Sequence, residues 1–153
     1  MHLFAVDVGG VRLAMATTFG ATHTLNGKDA DTPAAIKKLS DEQGVDVAFG
    51  VVGSTETLQT AIRGVRKGGT VVLIGNFKAK VDLPLQEVVT RQISLLGSCA
   101  SSGEYPECIE LMASGAVDVA PLISLTAPLE DGPGLFERLH RGGEGLMKVV
   151  LQS

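Results

Sequence analysis

Short apolar runs alternate with helical patterns along the first two thirds of the chain, each closed by glycine, and this alternation restricts the fold more than any other feature. Leu3 to Val8 is an apolar run carrying Asp7 and closed by Gly9 and Gly10, and Val11 to Phe19 reads as a helix ended by Gly20. A short strand is expected around His23 to Leu25. Thr32 and Pro33 then open a helix with Ala35, Ile36 and Leu39 on one face, ended by Gly44. Val45 to Val52, interrupted only by Asp46 and Gly50, suits a parallel strand covered on both faces, and Gly53 stops it. After Ser54 as a cap, Leu58, Ala61, Ile62 and Val65 recur at i, i+3, i+4 and i+7, which predicts a helix terminated by Gly68 and Gly69. Thr70 to Ile74 returns as strand. Right-handed crossovers turn this order into an α/β, doubly wound parallel sheet with helices on both faces.

From Lys78 the pattern changes. VDLPL contains Pro84, which makes it an edge strand, and a helical stretch to about Arg91 leads into a strand from Ile93 to Ser98. A boundary near residue 101 separates residues 1–101 from a C-terminal α+β segment, 102–153. That segment reads as a helix from about Gly103 to Ala113, an extended VAPLISLTAPL, a short helix near Leu135 to His140 and a last strand from Met147 to Leu151.

Composition narrows the function. The 153 residues are 44% apolar, enough for a real core, and a net charge of -4 argues against a phosphate backbone as partner. Nineteen glycines exceed the average usage of about 7% and sit at the ends of apolar runs, where they punctuate short elements. No apolar run approaches the roughly 20 residues of a membrane span. MHLFAVDVGG lacks a basic n-region, so no signal peptide is read and a cytoplasmic location is expected. Cys99 and Cys108 are too few for a disulfide framework or a tetrahedral zinc site and are expected as free thiols.

Asp7 ends the first run, where a carboxylate in a dinucleotide-binding fold accepts hydrogen bonds from the adenosine ribose; it is equally a turn former before Gly-Gly. Arg12, five residues on, would lie over the ribose or adenine, or sit solvated at a helix start. Gly9 and Gly10 do not make a GxGxxG loop, because Val11 and Ala14 stand where glycines are needed. GxxxxGK[ST] and GxSxG are absent, and His2, His23 and His140 lack metal-ligand spacing. Glu107 and Glu110 share a helix face that reads as solvated.

Several stretches together resemble the medium-chain, zinc-type alcohol and polyol dehydrogenases: AVDVGGVRLAMATTFGATHTLN, GVDVAFGVVGSTETLQTAIRGVRKGGTVVLIG, ISLLGSCASSGEYPECIELMASGAVDVAPLISLTAPLEDGPGLFERL and MKVVL. The resemblance implies a Rossmann-like coenzyme domain up to about residue 100 and a following segment that in the family packs on a zinc-bearing catalytic domain. It implies that the zinc ligands, the glycine-rich loop and the first strand lie before Met1, so the sheet would be truncated at its N-terminus and zinc absent.

Carried over position by position, the family's coenzyme contacts fall on Asp7, Arg12, Val52, Gly53, Ile74, Gly75 and Ser98, with no catalytic residue and no metal ligand. Asp7 would favour NAD over NADP, since a 2'-phosphate would meet a carboxylate. In strand order 3-2-1-4-5-6 the first strand is central, so its absence leaves two unpaired edges. The expectation is that Leu3–Val8 pairs with Val45–Val52, or that another subunit fills the gap. Val81 to Leu85 resembles the family's intersubunit edge, which favours a homo-oligomer. The functions implied are the NAD-binding portion of a dehydrogenase, inactive alone; a non-catalytic oligomeric interaction module; and, disfavoured by the failed glycine loop, a methyltransferase-like domain with Asp7 on the S-adenosylmethionine ribose.

Overall fold

A computed structural model describes residues 1–29, 31–142 and 145–153. They divide into two compact units, Met1–Ala100 and Ser101–Ser153.

The N-terminal unit opens with β1 (Phe4–Asp7), α1 (Gly10–Thr18), β2 (His23–Asn26) and α2 (Thr32–Lys38). The two strands pair in parallel, Phe4 opposite His23 and Asp7 opposite Asn26. Pro33 lies in the first turn of α2, whose Asp31 cap accepts the Ala34 N–H, and the helix stops at Lys38, short of Gly44. Next come β3 (Val45–Gly50), α3 (Thr55–Gly64), β4 (Val65–Leu73), α4 (Leu85–Thr90) and β5 (Ser94–Gly97). These three strands form a parallel sheet in the order β3-β4-β5.

Leu58, Ile62, Val65, Val71 and Ile93 make the core of this half, with Val45, Ala48, Leu73, Val88 and Leu95 packed around them. Ile62, Val65 and Val71 are fully buried. A register shift between Val45 and Val47 lets Val45 join that core, while Val47, Phe49 and Leu96 stand exposed at 46%, 64% and 53%. One face of the sheet is thus covered and the other carries bare apolar side chains.

Three expectations change. Gly68 and Gly69 do not end a helix: α3 closes at Gly64 and both glycines lie inside β4. Residues 81–84 form no strand and lead straight into α4, consistent with a proline that cannot donate to a ladder. The pairing of the first strand with the Val45 strand does not occur. Among the described residues β1 bonds only β2, β3 bonds only β4, and the parallel strands form separate sheets, not one continuous sheet.

The direction of the open edges of β1 and β3 follows from the bonds that are made. Leu3 O accepts from Thr22 and His23, and Asp7 O from Gly27, so Leu3, Ala5 and Asp7 address β2. Alternation along the strand turns the amides of Phe4 and Val6 the other way. Gly50 O accepts from Ile74 and Gly75, so Ala48 and Gly50 address β4 and the amides of Val47 and Phe49 face outward. The two sheets are joined by α2 against α3, where a Cβ on Gly64 would come 3.2 Å from Ile36 Cδ1; this absence of a side chain lets buried Ile36 seat.

The C-terminal unit contains α5 (Tyr105–Ala113), β6 (Ile123–Pro128), α6 (Gly132–His140) and β7 (Lys148–Gln152), with one-turn 3-10 helices at Ala120–Leu122 and Leu129–Asp131. β6 and β7 pair in parallel. Among the described residues no helix is long and apolar enough to cross a membrane.

Arg91 fastens the end of α3. Its Nη1 donates to Ile62 O at 3.0 Å and its Nη2 to Val65 O, while its own carbonyl accepts the Gly68 N–H at 2.8 Å. Arg91→Ala leaves two carbonyls at a helix end without their donors. Urea unfolding is expected to show a loss of about 1–3 kcal/mol; no measurable loss would mean that water replaces the guanidinium freely.

Candidate functional site

Asp7 closes β1, and Arg12 lies in the first turn of α1. Asp7 Oδ1 accepts the Gly9 N–H at 2.7 Å and meets Arg12 Nη1 at 3.5 Å. The first bond is the turn-forming role of an Asp before Gly-Gly, and it steers the chain into a helix whose Gly9 cap has no side chain to offer. Among the described residues only Oδ1 is engaged, so Oδ2 is the atom a ligand hydroxyl would find. Val11 is exposed on the opening turn of α1 and puts a side chain where a phosphate-cradling loop needs bare backbone.

Val52 and Gly53 follow β3, Ile74 and Gly75 follow β4, and Ser98 follows β5 with its N–H on Leu73 O at 2.9 Å. The loops after β3 and β4 cross backbone against backbone. A Cβ on Gly75 would lie 2.1 Å from Val51 O, and one on Gly53, whose φ is +79°, would lie 2.3 Å from Gly75 O. Phe77 N–H and Lys78 N–H close the crossing on Val52 O and Gly53 O at 3.3 and 3.2 Å. Loop crossing alone therefore requires both glycines, whether or not a ligand approaches them.

The start of α3 lies at the same end of this sheet. Ser54 and Thr57 form a reciprocal capping box, and Thr55 Oγ1 accepts the Asp82 N–H at 3.1 Å. Glu56 is held below its ordinary pKa of 4.5, first by its own backbone N–H, then by the Ser54 hydroxyl and the Lys78 ammonium. The approach of Lys78 to Glu56 was not legible: a lysine in a polar loop 22 positions after Glu56 carries no local signal.

The structure thus forms two groups, Asp7 with Arg12, and Val52, Gly53, Ile74, Gly75 and Ser98 at the strand ends of the other sheet. No hydrogen bond or ion pair among the described residues joins them. Cys99 and Cys108 are free and exposed. Among the described residues no three His, Cys, Asp or Glu side chains assemble as a metal site.

A family model described as zinc-binding dehydrogenase matches residues 1–114. The chain belongs to the zinc-binding dehydrogenase family. It is 34% identical over 151 residues to an L-idonate 5-dehydrogenase of Vitis vinifera, covering 95% of this chain but 41% of that relative. A zinc dependent alcohol dehydrogenase 2 from Streptococcus pneumonia superposes with a TM-score of 0.90 at 26% identity, over 99% of this chain and 44% of that one. An NAD-dependent alcohol dehydrogenase superposes at 0.82 with 25% identity, over 99% and 44%. This zinc-binding dehydrogenase chain thus spans well under half the length of the relatives it matches, and its α/β architecture is the Rossmann-like portion of such enzymes.

The crossing of the loops sets a sharp contrast between two glycines. Gly75→Ala drives a methyl into the Val51 carbonyl, whereas a Cβ at Gly97 meets nothing within 4 Å among the described residues. Thermal unfolding is expected to show Gly75→Ala destabilised by about 1–3 kcal/mol or more and Gly97→Ala within about 0.5 kcal/mol of wild type. Equal effects would contradict the crossing.

Proposed function

We propose that this chain is the NAD-binding portion of an alcohol or polyol dehydrogenase. The observation that carries the reading is Asp7: a carboxylate at the end of a parallel strand, oriented through Oδ1 by Gly9 and Arg12, with Oδ2 left for the ribose hydroxyls. Relatives named as idonate and alcohol dehydrogenases, one of them as NAD-dependent, support it. Arg12 would lie over the ribose or adenine, and Val52, Gly53, Ile74, Gly75 and Ser98 would line the remainder of the coenzyme. When bound, NAD supplies the acceptor for a hydride from the alcohol carbon.

The reading rests on the adenosine half. The turn after β1 presents Val11, so the described residues offer no cradle for the pyrophosphate. Nor do three His, Cys, Asp or Glu side chains gather among them as a zinc site would need. In this reading the residues of this chain bind and orient coenzyme and do not by themselves turn over alcohol.

A second reading is favoured by the open strand edges of β1 and β3 and by the bare face at Val47, Phe49 and Leu96: an oligomeric, non-catalytic module in which a second copy of the chain covers that surface.

One experiment separates the two, thermal unfolding with and without NAD accompanied by light scattering. The first reading predicts an upward shift worth roughly 2.7 kcal/mol at 100 times the dissociation constant, abolished by Asp7→Ala. A homo-oligomer with no NAD response would overturn it in favour of the second; a monomer with no response would overturn both.

A further inference from the structure

At the opposite end of β1 and β2 from Asp7, two histidines that lie 21 positions apart in sequence meet. His2 Nδ1 and His23 Nε2 are 3.2 Å apart, with ring planes 19° from parallel. The backbone fixes this encounter. Thr22 Oγ1 accepts the Leu3 N–H at 2.8 Å and donates to Leu3 O at 3.1 Å, and the Thr22 and His23 amides donate to the same carbonyl at 2.9 and 3.1 Å. Residue 2 is therefore held beside residue 23 by four hydrogen bonds at its neighbour. Phe4, opposite His23 in the ladder, stacks on it with ring centroids 4.7 Å apart and steadies the imidazole.

We propose that His2 and His23 form a two-imidazole chelate for a divalent transition metal of the zinc, nickel or copper class. Two nitrogens bound at about 2.0–2.1 Å and subtending roughly 90–110° at the metal are about 2.9–3.4 Å apart, and the observed separation falls in that interval. The two ring nitrogens lie at hydrogen-bond distance, and in a neutral hydrogen-bonded pair one of them carries the proton. Tautomerisation carries that proton to the outer nitrogen of its own ring and leaves two lone pairs directed at the ion. Imidazole suits these metals, and a small rotation about χ2, a broad torsion, brings the lone pairs to a common point. Solvent fills the other positions, which makes this an open, exchangeable site, unlike a closed four-ligand structural one. It is independent of the NAD reading, because β1 separates it from Asp7 by about 3.3 Å for each residue.

The test is a Zn2+ titration of the full chain with Cys99→Ser and Cys108→Ser in the background, followed by NMR of the imidazole nitrogens. His2 Nδ1 and His23 Nε2 are expected to shift together along one 1:1 curve while His140, the internal control, stays still. His2→Ala, at the exposed end of the chain, and His23→Ala, within β2, should each weaken binding at least about 10-fold, the lower end of what losing even an outer-shell partner costs. A shift of one ring alone, or unchanged affinity in a folded His2→Ala chain, would overturn the proposal and leave the pair as a hydrogen bond only.

Discussion

The N-terminal unit depends on a connection made without strand hydrogen bonds. β1 and β3 each present an unpaired edge, and the two parallel sheets are held to one another by α2 against α3, with Ile36 seated over Gly64. An interior edge leaves backbone donors and acceptors to water, and a parallel sheet is normally covered on both sides. Here the three-stranded sheet is covered on one side only. Its stability comes from the core around Ile62, Val65 and Val71 and from the guanidinium of Arg91 at the end of α3.

The same division shapes the candidate site. Asp7 sits on one sheet and the crossing glycines on the other, so a ligand that touches both would bridge the division. Asp7 stands at the end of β1 with Oδ1 on the Gly9 N–H, and the turn that follows serves the helix. The chain matches its relatives over 41–44% of their length. The two-histidine pair lies at the other end of β1 and β2 and uses the ladder between them, so it survives or fails independently of NAD.

Much of this was legible in the sequence where local physics governs. Pro33 and Ser54 marked helix starts, the Leu58–Val65 periodicity marked α3, and the parallel order followed from crossovers. Glycine misled where it served packing: Gly68 and Gly69 read as helix terminators, yet they lie in β4, and Gly69 sits where a Cβ would come 3.0 Å from Asp46 O. Pro84 suggested an edge strand but introduced a helix instead. What escaped was non-local. The Arg91 fastening, Lys78 beside Glu56 and the meeting of His2 with His23 each join residues 21 to 29 positions apart, and no spacing rule reads such pairs.

Amide hydrogen exchange along β1 and β3 tests the divided sheet most directly. With both edges open, Val6, Val47 and Phe49 exchange much faster than Ala5 and Ala48, whose amides address β2 and β4. Equal protection of both sets in the isolated chain would contradict the account, because it would mean that the two edges are paired with each other or covered by another strand.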